Sequence, residues 1–417
     1  METIIKILLW FAYLISLYFT IFWLLVLFEN KKEYKIKKLK KLPYVTIAIP
    51  AYNEEKRIKP TLKSVLKLNY PKNKIEFIIV NDGSTDKTKK VVQNIIKENK
   101  SFKIKLINQK NKGKGAALNR ALKIAKGKFF VCLDADSYVE KNALKKILPY
   151  FYEKKVACVL PALKIRKPKN LLQKLQWFEY LINLFYKALM SRLNCIHVAP
   201  GPFSVYRTEI LKKVGYFDEN FNLTEDLEMA LRLQNKGYKI IQLLHANVST
   251  IAPKSIKDLY KQRNRWYKGS IYNALKYRKM LFNKNYGDFG LIQMPLIILS
   301  GVIALVLISS IAYYSLWPYI DKLIKMKYID FDIITLIKNL SFNFHLLDLN
   351  FTNILVAIIM LMISIYTLKK AHTATKEKIS KQGIFSLIAY IVLFYILLGI
   401  MWIGIAIDMI RGKKQRW

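Results

Sequence analysis

The sequence predicts an α/β domain with a mostly parallel sheet, combined with transmembrane helices and interfacial amphipathic helices. Two observations carry this prediction: short apolar β-rich runs alternate with helical segments after Tyr44, and four other blocks are apolar over membrane-spanning lengths. The chain therefore divides into six segments: 1–30, a transmembrane signal anchor; 31–43, a basic linker; 44–250, the α/β domain; 251–285, an interfacial helix; 286–410, a membrane domain of about three helices; and 411–417, a basic tail.

Composition excludes several classes of protein. The chain is 53% hydrophobic and carries a formal net charge of +42. Such a charge suits nucleic acid, but the apolar blocks favour an anionic membrane surface, and no nucleic-acid-binding module is present. We therefore expect membrane lipid, and no nucleic acid, as a partner. The three cysteines are Cys132, Cys158 and Cys195; their spacing suits neither zinc nor a CxxC pair, so we expect buried free thiols.

The first apolar block, Ile4–Phe28, is too long for the core of a cleaved signal peptide and predicts a membrane anchor. Lys31–Lys41 follows with seven lysines and one glutamate. Under the positive-inside rule, this segment and the α/β domain lie in the cytoplasm. The chain is thus expected to be a multi-pass protein of the cell membrane.

Three further spans are predicted: Leu291–Trp317, Phe351–Leu368 and Ile384–Ile410. The loop Pro318–Asn350 has nearly balanced charge, whereas Lys369–Gln382 is rich in lysine, which agrees with a cytoplasmic α/β domain. The basic tail does not fit, because four spans would place it outside. The number of spans and the side of the C-terminus therefore stay open.

The elements of the α/β domain follow in regular order. The strands YVTIAIP, IEFIIV, KIKLIN and KFFVCLD alternate with helices predicted over Glu54–Leu68, over Lys87–Asn99 and in GKGAALNRALKIAKG. A polar cluster ends each strand: PAYNEE, NDGSTD, NQKNKGKG and DADS. Ligands of open α/β sheets bind beyond the carboxyl ends of the strands, so we predict the active site at this edge.

Several residues at this edge suit a nucleoside diphosphate. Asp82 can accept hydrogen bonds from a base or a ribose, although NDGSTD also reads as a turn with a helix cap. Lys112 and Lys114 lie at a helix start, where anions are favoured; of these we select Lys114 for a diphosphate contact, with solvated lysines as the alternative. Asp134 and Asp136 form a hard oxygen pair for Mg²⁺ or Mn²⁺, or a pair of ordinary loop aspartates.

Two later segments complete the candidate site. Thr224, Glu225 and Asp226 precede an amphipathic helix, where a carboxylate can act as a general base, although the triplet also matches an ordinary capping box. The helix after Lys254 has interfacial character, and one side of it carries three residues suited to a sugar ring and a diphosphate: Gln262, Arg265 and Trp266. A second interfacial helix is predicted over Asn170–Arg192, because three polar residues make it a poor span: Glu179, Asn183 and Lys187.

Taken in order, PAYNEE, NDGSTD, the lysine–glycine stretch, DAD, TED and QRNRW resemble the motifs of the family-2 membrane glycosyltransferases, most closely the processive synthases of cellulose, chitin, hyaluronan and poly-N-acetylglucosamine. The resemblance covers Tyr44 to Ala274. It implies a GT-A fold, a UDP-linked or similar nucleotide-sugar donor, a divalent metal and inversion at the anomeric carbon.

Carried over by position, the resemblance implies that Tyr52, Glu54 and Asp82 line the nucleoside pocket, that Asp134 contacts the diphosphate and that Asp136 holds the metal. It also implies that Asp226 is the catalytic base, that the QxxRW residues Gln262, Arg265 and Trp266 lie over the donor and acceptor ends, and that Ala199–Arg207 forms the acceptor-facing loop. To these we add, from the residues themselves, Lys114 at the diphosphate, Asp134 as a second metal ligand and Glu225 on the acceptor and diphosphate side. One departure is Asn81, which replaces the first acidic residue of the usual DDGS.

Three functions remain open at this point. The first is a synthase that extends a polysaccharide or glycan, and QxxRW favours it. The second is transfer of a single sugar to a polyprenyl-phosphate or a lipid-linked oligosaccharide, which the short membrane region favours. The third is a non-catalytic membrane scaffold, which the complete set of acidic residues disfavours. The sequence does not decide whether an accessory subunit or a homo-oligomer is involved.

Overall fold

A computed structural model describes residues 2–29, 36, 39, 41–219, 223–326 and 351–412. Most of the basic linker, the greater part of the loop after the second predicted span, and most of the basic tail lie outside these residues. The charge pattern predicted for those three segments is therefore not addressed by the structure.

The α/β domain is built on one mixed, eight-stranded sheet with the order β3-β2-β1-β4-β7-β6-β8-β5. Its strands are β1 Val45–Ala51, β2 Ile75–Asp82, β3 Lys103–Gln109, β4 Phe129–Cys132, β5 Tyr138–Val139, β6 Val156–Ile165, β7 Ser204–Arg207 and β8 Lys239–Thr250. The first four strands are mutually parallel, and β6 pairs in parallel with β8. The pairs β4–β7, β6–β7 and β5–β8 are antiparallel. The predicted α/β class with a mostly parallel sheet is confirmed.

The order of the first four strands determines where a ligand site forms. The chain moves outward from β1 to β2 and β3, then returns to place β4 on the other side of β1. Such a reversal opens a crevice at the carboxyl ends of the two central strands. Here those ends are Ala51 of β1 and Cys132 of β4, which lead directly into PAYNEE and DADS.

Eight helices belong to this domain or border it: α2 Ile58–Leu66, α3 Thr88–Glu98, α4 Lys114–Ile124, α5 Ala143–Ile147, α6 Leu171–Arg192, α7 Thr208–Val214, α8 Glu225–Asn235 and α9 Ile256–Lys276. They cover both faces of the sheet, so that Ile47, Ile49, Phe77 and Ile79 are buried on one face and Ile78 and Phe130 on the other. This packing explains why the central strands are apolar throughout rather than alternating.

The helix predicted from Glu54 begins four residues later, at Ile58. The loops after β1 and β2 bind each other: the amide of Glu54 donates to Thr88 Oγ1 at 2.8 Å, and the amide of Glu55 donates to the Asp86 carboxylate at 3.1 Å. These bonds hold residues 54–57 in a turn. The predicted start at Glu54 was wrong because helical spacing does not predict these tertiary contacts.

The apolar blocks form helices outside this domain: α1 Glu2–Phe28, α10 Met294–Met326, α11 Phe351–Thr375, α12 Ile384–Ala389 and α13 Tyr395–Ile410. Among the described residues, three helical stretches are long and apolar enough to cross a membrane: Thr3–Phe28, Phe289–Ser310 and Ile384–Ile410. Helix α11 occupies the remaining predicted span, and its crossing stays a prediction. Helix α10 continues past Trp317, the predicted end of the second span, with Pro318 inside it, and the end of the span itself stays a prediction.

Helices α6 and α9 lie between the sheet and the apolar helices. Phe178, Leu181 and Phe185 of α6 pack with Tyr390 and Phe394, which lie between α12 and α13. The amphipathic helices predicted for both segments are present. The three cysteines are buried and unpaired, as predicted.

Candidate active site

Asp82, at the end of β2, holds the loop that leads into α4. Its carboxylate accepts hydrogen bonds from Gln109 Nε2 at 2.8 Å, from the amide of Lys112 at 3.0 Å and from the amide of Gly113 at 2.8 Å. The side chain is almost fully buried. Its nucleoside contact stays a prediction; within the chain, Asp82 fixes the start of α4 and thereby the position of Lys114.

Lys114 joins the second half of the site to the first. Its ammonium lies 2.7 Å from Asp134 Oδ1 and 2.9 Å from Glu225 Oε1. The DAD and TED motifs therefore meet at one cation. Burial opposes the charge on Lys114, but Asp134, Glu225 and Asp226 outweigh it and raise the pKa of the lysine. The structure thus brings together residues that are more than a hundred positions apart in sequence.

Glu54 and Asp136 are close enough to Asp134 for their charges to interact with it. Burial and the charges of Asp136, Asp134 and Asp86, opposed by Arg57, together raise the pKa of Glu54 to about 7. Burial and the charge of Asp134 also raise the pKa of Asp136. Carboxylates that repel one another in a partly buried cleft are a setting that a divalent cation stabilises.

The donor set therefore fits Mg²⁺ or Mn²⁺ held by Asp134 and Asp136. Within the residues that the structure describes, no three His, Cys, Asp or Glu side chains form an all-protein metal site. Magnesium commonly takes only one or two carboxylates and completes its shell with water and substrate phosphates. Tyr52, predicted in the nucleoside pocket, is partly exposed just beyond β1 at the same edge.

Asp226, the predicted catalytic base, lies in the first turn of α8. It is partly exposed, and its Oδ1 accepts a hydrogen bond from the amide of Leu227 at 2.8 Å. Burial and the neighbouring charge of Glu225 raise its pKa, while Lys114 and Arg265 oppose this shift. The capping-box alternative was wrong, because the side chain of Thr224 caps no helix amide.

Thr224 instead contributes to the contact between α8 and α9. Its Oγ1 accepts a hydrogen bond from Asn273 Nδ2 at 3.1 Å, and a Cβ placed on Gly269 would overlap its side chain. Gly269 therefore allows α9 to approach the TED motif closely. Sequence reasoning missed Gly269 and Asn273; a glycine inside an amphipathic helix was the available signal.

Gly201, in the predicted acceptor-facing loop Ala199–Arg207, is a third residue whose contacts sequence reasoning missed. A Cβ at this position would overlap both Lys114 Nζ and the carboxylate of Asp134. The loop backbone thus lies directly against the ion pair at the centre of the site. The Gly-Pro pair at 201–202 was a turn signal, but nothing in the sequence indicated what the turn touches.

The QxxRW residues lie on α9 beside this centre. Arg265 is close enough for its charge to act on Asp226, and Gln262 has a buried Oε1 without a hydrogen-bond partner in the described part of the chain. Trp266 is partly exposed, and one face of its ring is covered by the guanidinium of Arg263, 4.5 Å from the ring centroid.

Arg263 itself is anchored by α6. Its two terminal nitrogens donate to the carboxylate of Glu179 at 2.8 and 2.6 Å, and both side chains are buried or nearly so. The sequence alone marks Glu179 only as a polar residue in an apolar helix. In the structure, Glu179 links α6 to the helix that carries QxxRW.

Helix α9 is also fixed to the last apolar helix. Asp408 of α13 accepts hydrogen bonds from Tyr260 at 3.0 Å and from Asn264 at 2.9 Å. The rings of Tyr267 and Trp402 are stacked, with centroids 4.1 Å apart. One helix thus contacts the carboxylate cluster on one side and a membrane-type helix on the other.

The sheet reverses its strand order between β1 and β4, carboxylates lie at that edge, and apolar helices pack outside the domain. Together these features define a GT-A-like fold, of the class that binds nucleotide-sugars. Comparison with known proteins agrees. The glycosyl transferase family 2 model matches residues 46–215. The chain is 32% identical over 270 residues to a poly-beta-1,6-N-acetyl-D-glucosamine synthase of Staphylococcus aureus (strain COL), covering 63% of this chain and 64% of that one.

A protein of the same name from Staphylococcus epidermidis (strain ATCC 35984) is 30% identical over 285 residues, covering 66% of this chain and 68% of its own length. The chain belongs to glycosyl transferase family 2. The match spans slightly less than two thirds of the Staphylococcus aureus relative. Among solved structures, a mannosyltransferase from Pyrobaculum calidifontis in complex with GDP-Man and Mn²⁺ shares the fold over 99% of both chains, with a TM-score of 0.64 and 18% identity.

Proposed function

We propose that the protein is an inverting glycosyltransferase that takes a sugar from a nucleotide-sugar donor, of the UDP-linked class, with Mg²⁺ or Mn²⁺, and adds it to the end of a glycan or polysaccharide at the membrane. The 30–32% identical synthases support the polysaccharide acceptor. The catalytic domain would lie in the cytoplasm, with the apolar helices in the cell membrane.

One observation supports this proposal: the Asp226 carboxylate lies at the ligand-binding edge of the sheet, close enough to Lys114 and Arg265 for their positive charges to act on it. In the proposed reaction, an acceptor oxygen attacks the anomeric carbon from the face opposite the nucleotide. The bond from that carbon to the phosphate oxygen breaks, and the acceptor's proton passes to the Asp226 carboxylate. A carboxylate with a raised pKa is better matched to this transfer than an ordinary aspartate.

The remaining residues bind and orient the two substrates. Lys114 and Arg265 are placed to stabilise the diphosphate as its negative charge grows. A divalent metal held by Asp134 and Asp136 would neutralise part of the same charge. Tyr52, Glu54 and Asp82 would bind the nucleoside end of the donor.

On the acceptor side, the exposed part of Trp266 offers an apolar face to a sugar ring, and the buried Gln262 Oε1 can accept a hydrogen bond from a sugar hydroxyl. Glu225 contributes through Lys114, whose ammonium it binds. These contacts would align the acceptor hydroxyl with Asp226.

The second candidate function is the addition of a single sugar to a polyprenyl-phosphate or a lipid-linked oligosaccharide. It is favoured by the small membrane region, in which three helical stretches among the described residues are suited to crossing a bilayer. A channel for a long polymer would require more helices, from a second copy of the chain or from another subunit.

The test is a transfer assay with the full chain purified in detergent. Radiolabelled nucleotide-sugars are supplied with Mg²⁺ or Mn²⁺, and nucleotide release and product size are followed for the parent and for Asp226→Asn. We expect metal-dependent release that falls at least about 100-fold in the variant. Asp258→Asn, a substitution of an exposed aspartate on α9, is the matched control and should leave the rate unchanged.

Product size separates the candidates. A ladder of products identifies polysaccharide extension, and one discrete product identifies single transfer. Failure to bind or turn over any donor, with membrane lipids added, would exclude both and leave a non-catalytic scaffold.

A further inference from the structure

The loops that follow β1 and β2 are joined by hydrogen bonds in both directions. The first loop, Tyr52–Arg57, carries the end of the PAYNEE motif, and the second, Gly83–Lys87, carries most of NDGSTD. The amide of Asn53 donates to Ser84 Oγ at 3.0 Å, and Asn53 Oδ1 accepts from the Thr85 amide at 2.9 Å. The Thr85 hydroxyl donates to the same oxygen at 3.3 Å. Asn53 is therefore bonded to the opposite loop through both its backbone and its side chain.

The hydrogen bonds between the two loops continue after Asn53. The amide of Glu54 donates to Thr88 Oγ1 at 2.8 Å. The amide of Glu55 donates to the carboxylate of Asp86 at 3.1 Å, and Glu55 Oε2 accepts from the amide of residue 87 at 3.0 Å. We call these bonds, together with those of Asn53, the clasp. Because they run in both directions, the clasp fixes the position of each loop relative to the other.

Asn53 has a left-handed backbone conformation, with a φ of 54°. Most residues avoid this region, which glycine adopts freely and asparagine and aspartate adopt more readily than other residues. Backbone strain of this kind persists where the surrounding structure holds it, and it is concentrated at functional sites. The position therefore requires both a left-handed backbone and a side-chain oxygen, which asparagine and aspartate combine.

The exposure of the clasp argues against a contribution mainly to folding. Asn53 and Thr85 are both exposed. A hydrogen bond that water can replace adds only modestly to the stability of a fold. Folding alone thus gives a weak reason for a strained backbone at this position, and the neighbouring residues give a better one.

We propose that Asn53 is a positioning residue for the nucleoside end of the nucleotide-sugar. Its immediate neighbours are Tyr52 and Glu54, both predicted to line the nucleoside pocket. The third predicted residue, Asp82, lies two positions before Ser84, which the Asn53 amide contacts. The clasp sets the separation between these two sides of the pocket before the nucleotide-sugar arrives. This inference rests on the proposed glycosyl transfer and deepens it, because it assigns a function in nucleotide affinity to Asn53.

The physical effect of the clasp is preorganisation. A loop that becomes ordered only when a ligand binds spends part of the interaction free energy on that ordering. Loops that already have the bound arrangement avoid this loss, so the ligand binds more tightly. Without Asn53 Oδ1, the amide and hydroxyl of Thr85 lose their acceptor on the opposite loop. The loops would then separate more easily, and the nucleoside pocket would be formed for a smaller fraction of the time.

The effect should be confined to nucleotide binding, because the residues proposed for the chemical step lie on other elements. Asp226 lies on α8, and Lys114, at the start of α4, is paired with Asp134. The start of α4 is held by Asp82, whose carboxylate accepts from the amide of Gly113, and not by the clasp. Loss of the clasp should therefore raise KM for the nucleotide-sugar and leave kcat at saturation nearly unaltered.

The test measures binding and needs no turnover. The full chain in detergent, with Mn²⁺, is titrated calorimetrically with UDP, GDP and inorganic pyrophosphate. Asn53→Gly keeps the left-handed backbone and removes the oxygen, so we expect it to weaken the nucleotide that the parent binds by about tenfold. Pyrophosphate, which has no nucleoside, should bind equally to the parent and the variant. Asn53→Asp keeps an acceptor oxygen and should stay within about threefold of the parent.

Asn194→Gly is the matched control. Asn194 also has a φ of 54°, and it lies after α6, outside the two loops of the clasp. Its Nδ2 donates to Gln234 Oε1 at 3.1 Å, and its Oδ1 accepts from the amide of Ile240 at 3.2 Å. The variant thus loses a comparable set of hydrogen bonds at an equally strained position, and it should leave nucleotide affinity unaltered.

Four binding results would overturn the proposal: unaltered nucleotide affinity in Asn53→Gly, an equal loss of pyrophosphate affinity, an equal loss in Asn194→Gly, or an equal loss in Asn53→Asp. In the transfer assay, a lower kcat with unaltered KM would overturn it as well. A parent that binds neither UDP nor GDP would overturn both this inference and the proposed function. Nucleotide binding that depends on Asn53, without any sugar transfer, would support the inference while the proposed function fails.

Discussion

The ion pair between Glu179 and Arg263 is the contact whose removal should disturb the site most without touching a substrate. It links α6 to α9 with two hydrogen bonds, and Arg263 covers one face of Trp266. The perturbation is Glu179→Leu. It leaves the Arg263 guanidinium, only 4% exposed, without a counter-charge.

The expected loss can be estimated from burial. Removing one partner of a buried ion pair costs about 3–5 kcal/mol, because the remaining charge is neither solvated nor paired. A domain of this size loses about 2–4 °C in its unfolding midpoint per kcal/mol, so the midpoint should fall by about 6–20 °C. Adding Arg263→Met removes the stranded charge, and the double variant should recover to within about 2 kcal/mol of the parent.

Thermal unfolding followed by intrinsic fluorescence in detergent measures these shifts. The control is Glu153→Leu, which breaks an ion pair of 2.7 Å to Lys239 with both side chains more than 40% exposed. An exposed ion pair contributes about 0–1 kcal/mol, so the unfolding midpoint of this variant should barely change. The reasoning from burial is refuted if Glu179→Leu lowers the unfolding midpoint no more than Glu153→Leu does. It is also refuted if the double variant with Arg263→Met is less stable than Glu179→Leu alone.

Three further predictions concern activity. Gly201→Ala should displace the Lys114 ammonium and lower kcat/KM by about 10- to 100-fold, the loss of one charge-assisted hydrogen bond, with little change in the unfolding midpoint. Gly269→Ala should push α9 away from Thr224 and lower kcat, and the added Thr224→Ala substitution should restore part of the rate. Because burial raises the pKa of Asp226, and the base must be ionised, kcat/KM should fall with decreasing pH at values above about 4, the pKa of an ordinary aspartate.

Each of these predictions has a contrary result. Unaltered kcat/KM in Gly201→Ala would mean that the ion pair tolerates a methyl group and does not limit catalysis. A double variant at Gly269 and Thr224 that is slower than the single one would argue against steric contact as the cause. A pH profile that stays flat down to pH 4 would exclude a base with a raised pKa.

Much of the fold and the donor edge could be predicted from sequence, for a physical reason. Parallel strands buried on both faces are apolar throughout, so the polar residues that end them stand out in the sequence. Asp82, Asp134 and Asp136 were recognisable in this way. Their meeting at one edge followed from the rule for open α/β sheets rather than from any feature of single residues.

Contacts between distant segments could not be predicted. Glu179 pairs with a residue 84 positions away, and nothing in the local pattern of either helix encodes that distance. Gly201 and Gly269 matter because of what would collide with a side chain there, which depends on packing alone. The start of α2 was misplaced for the same reason: Thr88 and Asp86 capture amide groups that a helix would otherwise use.

The attachment of α9 at both ends has a mechanical consequence. Asp408 and Trp402 hold it to α13, and Gly269 holds it against Thr224. A transmembrane helix adjusts its tilt to the thickness of the hydrocarbon layer around it. If α13 lies in the bilayer, each change in its tilt would move the QxxRW and TED motifs together. The rate of sugar transfer in nanodiscs should then vary with acyl-chain length, and Asp408→Asn, which weakens the attachment, should reduce that variation.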